Sequence, residues 1–320
     1  MSHYTVGVES IPYLLRLSAA LTEGLTRLPE DHRTLHADYL RAQQNPDGGF
    51  SGREGGSDLY YTGFGLRGLA VLDALTTDIA TKAAGFLRGS LLKEAGVVDF
   101  FSLLFSCALV ELAAGPNILA EAPADWQERV LALFESFRAK DGGYAKTPGG
   151  PSGSTYHTFL VALCYELLDR PMPRPAEVLG YLASRRREDG GYVEIAPMKR
   201  GGSNPTAAAI GLLRMLERDG LTTISPDLKE ETAEFLASLA SPEGSFQANA
   251  RAPLGDLLST FTSTWTLIEL DARDRIDAED VLEYAHSLEL PTGGFRGGLW
   301  DDRTDVEYTF YGLGTLALLS

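Results

Sequence analysis

Cysteine is scarce in this chain: there are two among 320 residues, Cys107 and Cys164. Both lie inside apolar stretches, which excludes a disulfide scaffold and leaves buried free thiols as the expected state. Positive charge is also in deficit. Lys and Arg number 28 against 44 Asp and Glu, a net charge of −16, and so acidic a surface repels phosphate backbones and anionic lipid heads. Neither a nucleic-acid partner nor membrane insertion is expected, since no apolar run approaches the roughly 20 residues that span a bilayer. The opening MSHYTVGVES has no basic stretch followed by an apolar one, and the closing LGTLALLS has no prenylation or retention signal. The cytoplasm is the expected compartment. No Pro-rich, Gly/Ser-rich or long polar segment divides the chain either, so residues 1–320 are expected to form one domain.

What is abundant is a repeat. A Gly-Gly-aromatic signal recurs at Gly48-Gly49-Phe50, Gly142-Gly143-Tyr144, Gly190-Gly191-Tyr192 and Gly293-Gly294-Phe295, with a variant at Gly244-Ser245-Phe246. The first interval is double, which places a degenerate unit near residue 95, at Lys93-Glu94-Ala95-Gly96-Val97. Register positions 48, 95, 142, 190, 244 and 293 are then 47, 47, 48, 54 and 49 residues apart. Nine and eight residues upstream of each stands an apolar or aromatic pair: Tyr39-Leu40, Phe86-Leu87, Leu133-Phe134, Tyr181-Leu182, Phe235-Leu236 and Tyr284-Ala285.

Each unit reads as helix, glycine turn, helix. The first helix is amphipathic, as in LKEETAEFLASL (228–239) and AEDVLEYAHSL (278–288), with charges between apolar residues at helical spacing. It stops where glycine can adopt the left-handed conformation. The second helix is apolar around its circumference, for example YTGFGLRGLAVL (61–72), STYHTFLVALCYELL (154–168) and YTFYGLGTLALL (308–319). Helices apolar on every side are buried on every side. The expected fold is therefore all-α: six inner helices ringed by six outer ones in a closed α/α toroid. The apolar last helix argues against an open solenoid, whose terminal repeats need polar caps. Repeats are expected at about 31–78, 79–122, 123–172, 173–224, 225–275 and 276–320, preceded by an extra N-terminal helix within 1–30. Thr62, Thr158, Thr206, Thr260 and Thr309 align in the first turn of the inner helices, with Leu104 in the sixth. Asp58, Asp256 and Asp305 stand four residues before their threonines, where aspartate caps a helix. In a toroid all six inner N-termini share one mouth, so caps and site residues come from the same positions.

Tyr39-Leu40-x3-Gln44-x3-Gly48-x-Phe50 resembles the repeat of the terpenoid cyclase and prenyltransferase toroids. The stretch from Gly293-Gly294-Phe295 to Asp305-Val306-Glu307-Tyr308-Thr309-Phe310-Tyr311 is most similar to the last repeat of a protein prenyltransferase β subunit. The resemblance covers roughly residues 31–320 and implies the fold more strongly than the chemistry. It implies a zinc ion held by Asp, Cys and His; the matching positions here are Asp256, Leu258 and Tyr308, which leave one good ligand of three. No metal or cofactor is expected, although Mg²⁺ could accompany a diphosphate substrate. The histidine of the family's diphosphate cradle falls in Gly201-Gly202-Ser203-Asn204, and its tyrosine is Ser259. Lys199, Arg200 and Arg251 are the remaining cations near the fourth and fifth inner helices and are the expected diphosphate contacts. The Asp-x-Asp-Asp motif of protonating cyclases and the Asp-rich magnesium motif are both missing. The nearest acidic cluster is Asp301-Asp302-Arg303-Thr304-Asp305, where the intervening arginine suggests a loop salt bridge.

The expected function is therefore a prenyltransferase-like protein that holds an isoprenoid diphosphate in a central aromatic cavity and transfers or rearranges the prenyl group without zinc. Tyr60, Tyr61, Tyr156, Asn204, Phe261, Trp265 and Tyr311 are the candidate cavity wall, since aromatic faces suit an isoprenoid chain or a carbocation. Asp256, Asp305, Tyr308 and His157 are the candidate catalytic groups, although a lone histidine is more often a hydrogen-bonded structural group. Two alternatives stay open: a non-catalytic binding toroid, and a sugar-active α/α barrel needing two facing carboxylates from Asp256, Asp305 and Glu307. The resemblance also implies a helical α-subunit-like partner, with a homodimer as the alternative.

Overall fold

Glycine decides where each hairpin turns. A computed structural model describes residues 11–91 and 96–320, and in it Gly48, Gly142, Gly190, Gly244 and Gly293 all have φ between 81° and 90°. That region is closed to most side chains. A second constraint acts at the same atoms. A β-carbon on Gly48 would lie 1.9 Å from the carbonyl oxygen of Lys82, and one on Gly190 would lie 2.3 Å from that of Glu231. Each turn is thus seated on the outer helix of the next hairpin. Gly293 of the last hairpin seats on Leu35 of the first, so the contact that joins neighbours also closes the ring.

In chain order, α1 spans Tyr13–Leu25 and precedes the hairpins. The outer helices are α2 (Glu30–Ala42), α4 (Thr77–Arg88), α6 (Trp126–Ser136), α8 (Pro175–Arg185), α10 (Pro226–Ala237) and α12 (Ala278–Ser287). The inner helices are α3 (Leu59–Val71), α5 (Val97–Leu112), α7 (Thr155–Leu167), α9 (Ser203–Arg218), α11 (Leu257–Glu269) and α13 (Val306–Leu319). Each inner helix packs on the next, and α13 packs back on α3. This is the closed α/α toroid expected from the repeat, with α2 and α4 beginning one or two residues ahead of the boundaries drawn at 31 and 79. Among the described residues regular strand is confined to β1 (Phe295–Arg296) and β2 (Thr304–Asp305), antiparallel partners in the last turn. Among the described residues no helix is long and apolar enough to cross a membrane. Cys107 and Cys164 are free and buried.

The turn aromatics explain the rest of the repeat. Phe50, Tyr144, Tyr192, Phe246 and Phe295 are almost completely buried. Their backbone amides donate to Thr62, Thr158, Thr206, Thr260 and Thr309 at 2.9–3.2 Å. The threonine column therefore ties each turn to the first turn of its inner helix. The second hairpin departs from the pattern. Eight residues separate α4 from α5, against sixteen or more in every other hairpin. Gly96 caps α5, and the amide of Phe100 donates to its carbonyl as Thr62 donates to that of Asp58. Phe100, not Leu104, is thus the counterpart of the threonines. Lys93, Glu94 and Ala95 of the expected degenerate unit lie outside the described residues.

Candidate functional site

The inner helices start at one mouth, and four of them are capped there by side chains. Asp58, Ser154, Asp256 and Asp305 accept the amides of Tyr61, His157, Ser259 and Tyr308. The opposite end is partly covered by α1. The Tyr13 amide donates to Glu166 Oε1 at 3.1 Å, Arg16 pairs with Glu269 at 2.6 Å, and Arg27 donates to the Ser320 carbonyl at 2.9 Å. These partners lie at or just beyond the C-terminal ends of α7, α11 and α13. Between mouth and α1 lies a cavity of about 910 Å³, lined by all six inner helices and α1.

The lining is largely apolar, and its polar groups include Ser18, Thr22 and the exposed Glu23 of α1. Six of the seven expected wall residues line it: Tyr60, Tyr156, Asn204, Phe261, Trp265 and Tyr311. Tyr61 does not. Its ring lies where a β-carbon on Gly52 would be, so it packs under the first rim loop. At the α1 end Trp265 Nε1 donates to Tyr13 Oη at 2.9 Å, and Phe159 meets the Tyr13 ring edge-on. Toward the mouth, Tyr60 Oη donates to Glu307 Oε1 at 2.6 Å. Burial pushes the Glu307 carboxyl above its ordinary range and the Tyr60 and Tyr311 phenols far above theirs.

The expected catalytic groups have structural partners instead. Asp256 accepts from the Ser259 amide at 2.7 Å and from its hydroxyl at 3.1 Å, and burial raises its pKa. Asp305 caps α13 and pairs with Arg53 Nε at 2.8 Å, and Arg53 also engages Asp301 through both terminal nitrogens. The salt bridge inferred for this acidic cluster is therefore supplied by Arg53 of the first hairpin; Arg303 points to Glu54. The Tyr308 ring lies 5.4 Å from the Arg53 guanidinium. His157 Nδ1 sits 2.8 Å from Ser154 Oγ, whose other contact is Glu194, and burial lowers the imidazole pKa. None of these four side chains lines the cavity.

Lys199, Arg200 and Arg251 are exposed on the rim loops and do not reach the cavity wall. Sequence reasoning placed cations there because they precede inner helices, but the loops carry them outward. Asp256, Leu258 and Tyr308 do not form a zinc donor set. One carboxylate is spent on a helix cap, one side chain is apolar and the third is a phenol beside an arginine. Among the described residues the acids that line the cavity are Glu194 and the exposed Glu23, not Asp256, Asp305 or Glu307, from which the facing pair for sugar chemistry was expected.

The residue that sequence reasoning missed is Arg67. It lines the cavity from α3, is partly buried, and donates through Nε to its own Gly63 carbonyl at 3.0 Å. Phe64 lies 4.0 Å from its guanidinium carbon, Phe310 5.3 Å, and Phe101 and Phe105 5.8 Å. Burial pulls its pKa down while the surrounding phenols and Glu307 pull it up, and an arginine stays charged through such shifts.

The sequence profile described as the prenyltransferase alpha-alpha toroid domain matches residues 30–94, 112–222 and 206–320. No curated protein matches the chain. Among solved structures it is similar to Candida albicans protein geranylgeranyltransferase-I complexed with GGPP, with 14% identity, 89% of this chain and 90% of that one covered, and a TM-score of 0.67. The type II terpene cyclase MstE from Scytonema superposes with 13% identity, 90% and 96% coverage and a TM-score of 0.60. An α-1,6-mannanase from Salegentibacter does so with 12% identity, 90% and 98% coverage and a TM-score of 0.57. At such identities the likeness is one of fold.

Proposed function

The chain belongs to the prenyltransferase α/α toroid family, and from that premise we propose that it is an isoprenoid-binding protein whose ligand occupies the central cavity. The carrying observation is the cavity itself: about 910 Å³, walled by apolar and aromatic side chains from every inner helix and partly covered at one end by α1. That volume falls in the range of roughly 300–1,000 Å³ typical of small-molecule sites. Its apolar wall suits a flexible hydrocarbon chain, which gains from removal of its surface from water. Transfer or rearrangement of the bound prenyl group would proceed without zinc. Two of the three solved structures support the reading: one is a geranylgeranyltransferase complexed with GGPP, and another is a terpene cyclase.

Trp265 lies in the cavity wall and reports on occupancy. Titrating the purified protein with C10, C15 and C20 prenyl alcohols and diphosphates is expected to change its emission saturably, with a parallel incubation read for released diphosphate or altered chain. A flat response to every isoprenoid, combined with binding of α-1,6-linked mannooligosaccharides, would replace this reading with the carbohydrate one.

A further inference from the structure

We infer that the cavity ligand carries a single acidic group, a carboxylate, and that Arg67 receives it. This rests on the isoprenoid reading of the cavity and specifies the head of that ligand.

Arg67 is the one charged residue within α3. Its side chain runs back toward the helix N-terminus, as helical side chains do, and its Nε is held by the Gly63 carbonyl. The two terminal nitrogens have no hydrogen-bond acceptor among the described residues, and no carboxylate there is within ion-pair distance. A guanidinium partly withdrawn from water without a counter-charge is disfavoured. The aromatic faces of Phe64 and Phe310 offset part of this through cation–π attraction. They leave the donor fork open toward the cavity, in the arrangement that accepts two oxygens of an acid side by side.

Charge sets the valence of the partner. Arg67 is the only cation among the described cavity-lining residues. Glu307 acts on it through its charge. A carboxylate neutralises the guanidinium one to one. A diphosphate would leave its surplus negative charge near Glu307 with no second cation among the described lining residues. The hydroxyls of Tyr156 and Tyr311 influence the same guanidinium and give the head group a polar surround. The apolar tail then extends toward α1 along Leu109, Leu163, Trp265, Leu17 and Leu21.

The test compares farnesoic acid, farnesol, farnesyl diphosphate and palmitic acid on the full chain at pH 7.5, by calorimetry and Trp265 fluorescence. Farnesoic acid is expected to bind at least about tenfold more tightly than farnesol. Arg67→Met should erase that margin by weakening the acid alone, and Arg67→Lys should restore part of it. Equal affinity for acid and alcohol in the unaltered protein overturns the inference while leaving the isoprenoid reading intact. So does tighter binding of the diphosphate that is insensitive to Arg67. Arg67-dependent binding of palmitate without any farnesyl ligand would support the acid site and remove the isoprenoid reading. A measurement that needs no variant guards against misfolding. Lowering the pH through the ligand's own ionisation near pH 5 should weaken the acid and leave farnesol unchanged, and parallel behaviour of the two counts against the inference.

Discussion

At the scale of single residues, buried hydroxyls do much of the fastening. Thr158 Oγ1 accepts the Tyr144 amide at 2.9 Å and donates to the Ser154 carbonyl at 2.7 Å, so one atom joins turn, cap and helix. Thr158→Val keeps the shape and removes the acceptor. The buried amide left without a partner should lower stability by about 1–3 kcal/mol, read as a reduced urea midpoint at unchanged slope, with Thr158→Ser close to the natural protein. The threonine column could be read from the sequence, but its bond could not, because it closes over fourteen residues of intervening turn. Arg67 left a fainter mark, a single charge in YTGFGLRGLAVL. Arg214 leaves the same mark in PTAAAIGLLRML, yet it pairs with Glu217 at 2.8 Å. Only the direction each side chain takes separates the two cases. Arg67 also alters the meaning of the aromatic wall. The faces of Phe64 and Phe310 already hold a cation, so a cation-like prenyl centre would be repelled there and would have to form nearer Phe261 and Trp265.

Among elements, the second hairpin and α1 break the pseudo-symmetry. The aromatic nine residues before each register glycine lies over the second glycine of the preceding turn: Phe86 over Gly49, Tyr181 over Gly143, Phe235 over Gly191 and Tyr39 over Gly294. The exception in that column is Leu133, in the hairpin that follows the shortened one. The missing turn and the missing aromatic are one event, visible in the sequence only once the pairing between neighbouring hairpins is known. The extra N-terminal helix was legible as a helix. Its place was not, because its apolar residues fit any apolar surface, and its seat is assembled from α3, α9 and α13. Gly24 marks the tightest contact. A β-carbon there would lie 1.9 Å from the Ala317 carbonyl oxygen, a backbone atom that cannot swing aside. Gly24→Ala should therefore lift α1 and widen the opening of the cavity at that end, shifting Trp265 emission to the red while the far-ultraviolet helical signal persists.

For the whole molecule, the ring is closed by polar groups as well as by the glycine seat. Glu289 lies just beyond α12 and faces α2. His32 Nε2 is 2.7 Å from one of its oxygens, His286 Nδ1 is 2.7 Å from the other, and His36 Nε2 is 3.6 Å away. Asp31 is the further charge acting on His32. Hydrogen bonding to Glu289 raises the His32 pKa, whereas the histidines hold the Glu289 carboxyl well below the carboxylate range against the opposing effect of burial. A raised imidazole contributes its full stability below its unfolded value of about 6.5 and loses it as pH climbs through the folded one. A depressed carboxyl contributes above its unfolded value of about 4.3 and loses it as pH falls through the folded one. The cluster should hold the ring most firmly between about pH 4.5 and 6.5. Melting curves of the natural protein and Glu289→Gln should differ most in that window and converge above it; a gap that does not vary with pH would contradict the assignment.

The placement of α1 has a consequence for the order in which the chain acquires its shape. α1 precedes all six hairpins, yet it rests on α13 and on side chains at the far ends of α7 and α11. Until the last hairpin is in position there is no floor for it to cover. During synthesis, when earlier segments ordinarily settle first, its apolar face must wait through the making of nearly the entire polypeptide. Its closing contacts span more than 250 residues and carry a correspondingly large loop entropy. The first helix of the chain is then among the last to dock, and the barrel is open at its floor until it does.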